Sequence, residues 1–165
     1  VILDRDGVLN VRPPRACYVT APEDFTWLPG AREALRRLKD AGIRCIVVTN
    51  QPGIARGALT AETLSAIHER MCREAAAAGG EITRIYHCPH GWDEGCACRK
   101  PNPGMLFQAQ RDFDLDLSRT WFLGDDERDE LAARRAGARF AMVSERRPLL
   151  RIVMEEILPH FRRRG

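Results

Sequence analysis

Apolar and polar residues follow one another along this chain in blocks that predict alternating strands and helices. Two stretches have apolar residues at helical spacing. The first runs from Pro29-Gly30 to Gly42, and the second runs from Thr60, a helix-capping residue type, to Gly79-Gly80. The apolar positions of the two stretches are Ala31, Ala34, Leu35, Leu38 and Ala41, followed by Leu64, Ile67, Met71 and Ala75. Both stretches are predicted to be amphipathic helices.

Short apolar runs supply the predicted strands. Five strands are predicted, at residues 1–3, 44–49, 82–88, 120–123 and 139–143. Three further helices are predicted at residues 103–112, 126–136 and 148–161. Alternation of strand and helix is typical of a parallel sheet that has helices on both faces. We therefore predict an α/β fold. Because the chain has no internal repeat, low-complexity tract or linker, residues 1–165 are predicted to form a single domain.

Composition and charge favour a solvated globular protein. No apolar run approaches the roughly 20 residues of a membrane span. The net charge of +3 is small and is spread over arginine-rich helices, which does not indicate a nucleic-acid-binding surface. The terminal cluster Arg162-Arg163-Arg164 is interpreted as a solubilising tail. The chain begins at Val1, inside the first strand and without a leader sequence, so we expect a cytoplasmic protein that lacks a few native residues here. We also expect a monomer.

An acidic pair spaced D-x-D follows the first predicted strand. Asp4 and Asp6 stand where the chain leaves the sheet and before Gly7, which is the usual location of chemistry in an open α/β fold. One carboxylate there can act as a nucleophile and the other as an acid and base. Taken alone, the same spacing also fits a calcium loop or, more commonly, a solvated turn.

Polar residues also follow two other predicted strands. Carboxylates, hydroxyls and amides leave the ends of three strands, at Asp4 and Asp6, at Thr49-Asn50-Gln51, and at Asp125-Asp126 with Asp129 beyond. These strand ends are predicted to meet at one crevice, because the strands are predicted to be parallel. Clustered carboxylates repel one another unless a hard cation binds them, and magnesium is the natural choice when a phosphate completes its ligand shell. The pattern predicts a magnesium-dependent phosphoryl site.

Four motifs at these positions resemble a known family. They are D-R-D-G-V-L-N from Asp4, T-N-Q-P-G-I-A-R-G from Thr49, C-R-K-P-N-P-G-M from Cys98 and G-D-D-E-R-D from Gly124. In this order and at these separations they resemble the phosphatases of the haloacid-dehalogenase superfamily. Within it, the chain is similar to the branch of histidinol phosphatases and heptose bisphosphatases. The resemblance covers essentially the whole chain and implies a Rossmann-like fold.

The resemblance also implies roles for the residues of these motifs. Asp4 would be the nucleophile that forms an aspartyl-phosphate, and Asp6 would protonate the leaving alcohol and later activate water. Thr49 and Lys100 would hold the transferring phosphoryl group. Asp4, Asp125 and the backbone carbonyl of Asp6 would bind the magnesium ion. The segments 10–30 and 50–60, about twenty and ten residues long, are too short for a separate cap domain.

A second cluster of candidate ligands lies in the loop 88–98. Three thiols and an imidazole suit a closed, tetrahedral and therefore structural zinc site, formed by Cys88, His90, Cys96 and Cys98. Two disulfides and free thiols are the alternatives, although nothing suggests an oxidising compartment. His87 is a weaker ligand candidate, and His68 is interpreted as structural. A zinc-bound loop would fix Arg99 and Lys100 beside the phosphate crevice.

An uncapped crevice is predicted to accept an extended phosphorylated substrate. The side chains that we expect around the substrate are Tyr18, Asn50, Gln51, Arg56, Trp92 and Arg99. Tyr18 and Trp92 fit equally well as packing aromatics. The second and third motifs look most like those of D-glycero-D-manno-heptose 1,7-bisphosphate 7-phosphatases, which implies a sugar bisphosphate whose second phosphate Arg99 recognises.

Other features leave the substrate open. The short zinc loop looks more like that of histidinol-phosphate phosphatases. Asp126 stands where heptose phosphatases often have a lysine, and the first loop is extended by Arg12-Pro13-Pro14-Arg15, so a different sugar phosphate also remains possible. A hypothesis of another class is a non-catalytic, zinc-containing binding module. The set Asp4, Asp6, Thr49, Lys100 and Asp125 favours the enzyme, because a binding module has no need of all five.

Overall fold

The computed structural model describes residues 1–162, and its centre is a five-stranded parallel sheet. The strands are β1 (Ile2–Leu3), β2 (Ile46–Asn50), β3 (Arg84–Cys88), β4 (Trp121–Gly124) and β5 (Arg139–Met142). Their order across the sheet is β3-β2-β1-β4-β5, and every neighbouring pair is parallel. The predicted parallel sheet is confirmed. Of the predicted arginine tail, Arg163 and Arg164 lie outside the described residues.

Helices cover both faces of this sheet, as predicted. One face packs against α1 (Ala31–Asp40), α2 (Ala61–Ala77) and the C-terminal helix, which consists of α5 (Leu149–Ile152), a π-helical turn (Val153–Ile157) and α6 (Leu158–Arg162). The other face packs against α3 (Gly104–Phe113) and α4 (Glu127–Ala136). The chain therefore has the doubly wound α/β arrangement, in which ligands bind beyond the carboxyl ends of the strands.

Alternate residues of the strands enter the two cores. Leu3 packs into the core beneath α1 and α2, whereas Ile2 packs into the core beneath α3 and α4. Both side chains are fully buried, and each such burial contributes about 1.5–3 kcal/mol to folding. In the sheet, Ile2 pairs with Ile46 on one side and with Phe122 on the other. This register brings the ends of β1, β2 and β4 side by side.

Several element boundaries differ from those predicted. Strand β2 begins at Ile46 rather than at residue 44, because its pairing with β1 begins opposite Ile2. Strand β3 begins at Arg84 rather than at residue 82. The predicted cap of α2 is confirmed, since the Thr60 hydroxyl accepts a hydrogen bond of 3.1 Å from the Thr63 amide. The segments between β1 and α1 and between β2 and α2 are loops with short turns.

Within the described part of the chain, no helix combines the length and the hydrophobicity that crossing a membrane requires.

Candidate active site

A buried lysine bridges two carboxylates at the carboxyl edge of the sheet. Lys100 Nζ lies 2.9 Å from Asp4 Oδ1 and 2.7 Å from Asp129 Oδ1, and it donates a further hydrogen bond to the Val48 carbonyl. Lys100 is only 2% exposed. Burial would lower the pKa of Lys100, but Asp4 and Asp129 outweigh it and raise that pKa. The lysine is therefore a fixed positive charge beside Asp4.

Glycines allow the two acidic loops of the site to approach each other. Gly7 has a φ of 85°, in the left-handed region, and a Cβ at this position would stand 1.8 Å from the Asp125 Oδ2 atom. A Cβ at Gly124 would stand 2.4 Å from the Cβ of Asp129. Any larger residue at either position would push the carboxylates apart.

The carboxylates Asp4, Asp125 and Asp129 can hold a cation together. One oxygen of each lies within 4.8 Å of the others. With Lys100 as the counter-charge, three carboxylates leave an excess of two negative charges, which a dication would cancel. The Asp125 Oδ1 atom is buried and accepts no hydrogen bond, although Arg12 Nη2 lies 3.3 Å away. A buried oxygen without a hydrogen bond, in a cluster made only of carboxylates, is a suitable ligand for a hard cation such as Mg²⁺.

Two of these carboxyl groups have raised pKa values. Burial raises the pKa of Asp4 to about 7, although Lys100 opposes the shift, and the charge of Asp129 adds to it. Burial followed by the charge of Asp4 raises the pKa of Asp125 to about 6. Both shifts express the cost of crowding negative charge in a buried space, which a bound cation would relieve.

Asp6 is held by three side chains. Arg5 Nη2 lies 2.9 Å from its Oδ1, Asn10 Nδ2 donates to Oδ1 at 2.9 Å, and Gln51 Nε2 donates to Oδ2 at 3.0 Å. Burial alone would raise the pKa of Asp6, but the Arg5 charge and these hydrogen bonds outweigh it and lower the pKa. Asp6 is an oriented anion in the free protein.

The second strand end presents Thr49, Asn50 and Gln51. Thr49 is buried and its hydroxyl accepts a hydrogen bond of 2.9 Å from the Gln51 amide. The Asn50 side chain is bonded to the backbone of Lys100. All three residues line the same cleft as Asp4 and Asp6. Asp125 is not among the lining residues, but one of its carboxylate oxygens lies within 4.8 Å of those of Asp4 and Asp129, so the structure brings the three predicted strand ends together.

The cleft has a volume of about 650 Å³ and a basic rim. Five arginines line it, namely Arg12, Arg15, Arg56, Arg99 and Arg128. Tyr18 also lines the cleft and at the same time packs against the core, so both interpretations of this aromatic apply. Trp92 is 73% exposed and is not among the lining residues. The rim favours substrates with more negative charge than one phosphate.

The zinc candidates converge as predicted. Cys98 Sγ lies 3.0 Å from Cys88 Sγ and 3.5 Å from Cys96 Sγ, and His90 Nδ1 lies 3.3 Å from Cys98 Sγ. A zinc ion with Zn–S bonds of about 2.3 Å would hold its sulfur ligands roughly 3.8 Å apart, so the ligand atoms would move outward slightly to bind it. The four residues can therefore hold zinc. None of the six cysteines forms a disulfide, and His87 is not part of the group.

The zinc loop is connected to the cleft by hydrogen bonds. Arg99 Nη1 donates to the His90 carbonyl at 3.3 Å, and the Asn102 amide donates to the Cys96 carbonyl at 2.8 Å. Gly104, the first residue of α3, donates its backbone N–H to the Ala97 carbonyl. Lys100 therefore lies in a segment that is anchored on both sides to the zinc loop.

Sequence reasoning left several site residues without a role. The sequence assigns no role to Asp129, although its position four residues after Asp125, in the first turn of a predicted helix, places it near the strand end. Arg12 and Arg15 stand out in the sequence only as a loop extension, and Arg128 gives no signal at all. Arg5 is the least expected, because a charged residue between two carboxylates would ordinarily be solvated, yet it is fully buried.

Comparisons with known proteins agree with this geometry. A family model described as haloacid dehalogenase-like hydrolase matches residues 1–79, and a second, described as HAD-hydrolase-like, matches residues 97–146. A D-glycero-β-D-manno-heptose-1,7-bisphosphate 7-phosphatase from Bordetella bronchiseptica is 45% identical over 137 residues, which are 83% of this chain and 75% of that protein. The protein of the same name from Pseudomonas aeruginosa is 46% identical and covers 81% of this chain and 74% of its own length.

A solved structure extends the comparison to three dimensions. The crystal structure of D,D-heptose 1,7-bisphosphate phosphatase from B. bronchiseptica, complexed with magnesium and phosphate, matches with a TM-score of 0.89. The match has 37% sequence identity and covers 96% of this chain and 98% of that one. The chain therefore belongs to the haloacid dehalogenase-like hydrolase family, and it is a phosphoric monoester hydrolase of that family.

Proposed function

We propose that this protein removes the 7-phosphate of D-glycero-β-D-manno-heptose 1,7-bisphosphate through an aspartyl-phosphate on Asp4. The observation that carries the proposal is the buried contact of 2.9 Å between Lys100 Nζ and Asp4 Oδ1. It lies beside the cluster of three carboxylates, Asp4, Asp125 and Asp129, that can bind Mg²⁺. Relatives at 45% and 46% identity have this activity in their names. Membership of the family establishes the phosphatase reaction, and the heptose bisphosphate substrate is the proposal.

In the first half-reaction, an Asp4 carboxylate oxygen attacks the phosphorus atom of the substrate. The bond between phosphorus and the leaving oxygen breaks, and Asp6 gives its proton to the departing alcohol. Lys100 and Thr49 line the cleft beside Asp4. In this proposal they hold the equatorial phosphoryl oxygens, which carry the charge in the transition state. Asp4, Asp125, Asp129 and the Asp6 carbonyl are the groups that would hold Mg²⁺. When bound, the ion supplies charge neutralisation at the phosphoryl oxygens.

In the second half-reaction, Asp6 takes a proton from water, which attacks phosphorus and releases Asp4. The lowered pKa of Asp6 in the free protein suits this role as a base, because Arg5, Asn10 and Gln51 stabilise its anionic form. The first half-reaction needs the protonated form. A phosphate dianion next to Asp6 raises its pKa, so that Asp6 takes up a proton from solvent when the substrate binds. This is the proton that the departing alcohol then receives.

The arginine rim supports a bisphosphate substrate. Because Lys100 and the cation are assigned to the reacting phosphate, a second phosphate needs other cations. Arg99 is the candidate closest in sequence to Lys100, and Arg12, Arg15, Arg56 and Arg128 line the same cleft. A guanidinium can bind a phosphate through two parallel hydrogen bonds, which fixes orientation as well as affinity. Gln51 and Tyr18 complete the proposed substrate contacts, whereas the side-chain amide of Asn50 is bonded to the backbone of Lys100.

We also propose that the protein works as a cytoplasmic monomer whose only substrate partner is this small phosphorylated sugar, without nucleic acid or membrane. All groups assigned to the reaction come from one chain. A structural zinc site with three thiolate ligands is best maintained in a reducing compartment.

Phosphate release from a substrate panel tests the proposed function. The panel contains the heptose 1,7-bisphosphate, heptose 7-phosphate, fructose 1,6-bisphosphate and histidinol phosphate, each with Mg²⁺. We expect kcat/KM for the heptose bisphosphate to exceed the others by about 10-fold or more, because one charged contact is worth roughly 1.5–3 kcal/mol. Phosphorus NMR is expected to show the 1-phosphate retained.

The variant Asp4→Asn, purified in parallel, accounts for contaminating phosphatases. A preference for histidinol phosphate would replace the proposed substrate by the second candidate that the short zinc loop suggests. Absence of hydrolysis with every substrate would refute the proposed reaction itself.

A further inference from the structure

The residue between the two catalytic carboxylates is a fully buried arginine. Arg5 is 0% exposed, and a buried guanidinium is strongly unfavourable unless its N–H groups are paired. Its Nη2 atom lies 2.9 and 3.1 Å from the two oxygens of Asp6, and its Nε atom lies 3.3 Å from Oδ1. One edge of the guanidinium thus binds the acid–base carboxylate, and Arg5 is the one cation among the three side chains that hold it.

The other edge of Arg5 contacts a histidine from a distant part of the chain. Arg5 Nη1 lies 3.2 Å from Nε2 of His68, a buried residue of α2. An arginine has only donors and keeps its proton, so His68 Nε2 must accept this hydrogen bond. His68 is therefore neutral and has its proton on Nδ1. Consistently, burial lowers the pKa of His68 to about 3, with Arg5 and His87 adding to the shift.

We propose that His68 is a positioning residue of the reaction, which fixes the guanidinium of Arg5 and through it the carboxylate of Asp6. The inference rests on the proposed function, because it assumes that Asp6 transfers the protons. Asn10 and Gln51 donate to the Asp6 oxygens, but neither of these hydrogen bonds reaches the guanidinium of Arg5. His68 is the group that restrains the opposite edge of Arg5.

The residue type fits this task. An acidic residue in place of His68 would compete with Asp6 for the charge of Arg5, and an apolar residue would leave Arg5 Nη1 buried without an acceptor. A neutral imidazole provides the acceptor without a competing charge. The groups that face the His68 ring are Arg5, Asp6 and the ring of His87, whose centroid lies 6.1 Å away. His87 makes no hydrogen bond to Arg5 among the described contacts.

Single-turnover kinetics with p-nitrophenyl phosphate and Mg²⁺ separate the two half-reactions. Release of p-nitrophenol reports the phosphorylation of Asp4, which needs no proton from Asp6 because the leaving group is already good. Release of inorganic phosphate reports hydrolysis of the aspartyl-phosphate, which needs Asp6 as a base. The variants are His68→Leu, which removes the acceptor, His68→Gln, whose Oε1 reaches the place of Nε2, and the neighbour control His87→Gln.

For His68→Leu we expect p-nitrophenol release within about twofold of the wild type and phosphate release slower by roughly 10- to 100-fold, since a displacement near 1 Å can cost about a hundredfold. His68→Gln is expected to recover most of the loss, and His87→Gln to leave both rates unchanged. A uniform loss in both rates, or a His68→Gln variant no better than His68→Leu, would make His68 merely structural. Wild-type-like rates in His68→Leu would refute the proposal outright. A wild-type protein that forms no aspartyl-phosphate would instead refute the proposed function.

Discussion

The side-chain amide of Asn50 forms two hydrogen bonds with the backbone of Lys100. Asn50 Nδ2 donates to the Lys100 carbonyl at 3.0 Å, and Asn50 Oδ1 accepts from the Lys100 amide at 3.0 Å. The Asn50 amide thus makes the same pair of hydrogen bonds with Lys100 that the backbone of a neighbouring strand would make. The end of β2 therefore fixes the backbone position of Lys100, whose side chain contacts Asp4. Asn50, which the sequence predicts as a substrate contact, has its amide committed to Lys100.

Replacing Asn50 by alanine is expected to lower kcat more than it raises KM. Loss of the two hydrogen bonds lets Lys100 shift, and a shift near 1 Å can cost about a hundredfold in rate. The free energy of unfolding is expected to fall by about 1–3 kcal/mol. Steady-state kinetics and urea unfolding measure the two effects, with Gln108→Ala on the exposed side of α3 as the control. A rise in KM alone would support the predicted direct contact of Asn50 with the substrate.

Much of the fold can be predicted because local sequence patterns determine its helices and strands. Helical periodicity predicts α1 and α2, and the cap at Thr60 is a purely local interaction. The family motifs predict the acidic strand ends and the zinc ligands, since both depend on residue types at fixed spacing. The strand boundaries of β2 and β3 shift by two residues because pairing with a neighbouring strand, not the apolar run itself, determines where a strand begins.

The unpredicted part of the site consists of contacts between residues far apart in sequence. Arg5 and His68 are separated by 63 positions, and Asn50 and Lys100 by 50, so no local pattern joins either pair. The place of Asp129 in the site can be inferred only after Asp125 is assigned to a strand end that a helix follows. Arg12, Arg15 and Arg128 become rim residues only when three loops meet at one cleft.

The variant Asp4→Asn is expected to lose turnover by several orders of magnitude while keeping the fold, because it removes the attacking charge but retains the size of the side chain. Lys100 also forms an ion pair of 2.7 Å with Asp129, which the substitution leaves in place as a partner. Phosphate release measures the turnover of the variant and of the wild type, and circular dichroism measures whether the fold is retained. Near-normal turnover in Asp4→Asn would rule out the aspartyl-phosphate.

The variant Arg99→Ala is expected to raise KM about 10-fold or more for the heptose bisphosphate and less than about 2-fold for heptose 7-phosphate. A contact with the distal phosphate adds binding without touching the reacting centre, so kcat should hardly change. Arg119→Ala, an exposed arginine before the amino end of β4, is the control. Equal losses on both substrates would place Arg99 on the transferring phosphate instead.

The purified protein is expected to contain about one equivalent of zinc, which survives mild chelation. Cys96→Ser or Cys98→Ser should lose the metal, loosen the segment that contains Arg99 and Lys100, and lower activity, while the sheet remains intact. Elemental analysis, circular dichroism and kinetics test these three expectations, with Cys72→Ser on α2 as a matched control. If the serine variants keep both full activity and thermal stability, the cysteines are incidental thiols.

Stabilisation by Mg²⁺ is expected to increase with pH. The pKa values of Asp4 and Asp125 are raised to about 7 and about 6, so the folded, metal-free protein binds these protons more tightly than the unfolded chain does. Linkage then requires the contribution of these two groups to the free energy of unfolding of the metal-free protein to fall as pH rises from about 4 to 7. Mg²⁺ must displace the same protons, and it therefore binds more tightly at pH 8 than at pH 5.

Thermal unfolding at pH 5 and pH 8, in EDTA and in Mg²⁺, measures this linkage. We expect a larger Mg²⁺-induced rise in Tm at pH 8, and we expect Asp125→Asn to lose most of that rise because it removes the carboxylate whose Oδ1 has no hydrogen bond. The exposed substitution Glu145→Gln should leave the rise unchanged. An equal rise at both pH values would mean that Mg²⁺ binds elsewhere, since a cation at Asp4 and Asp125 cannot avoid competing with their protons.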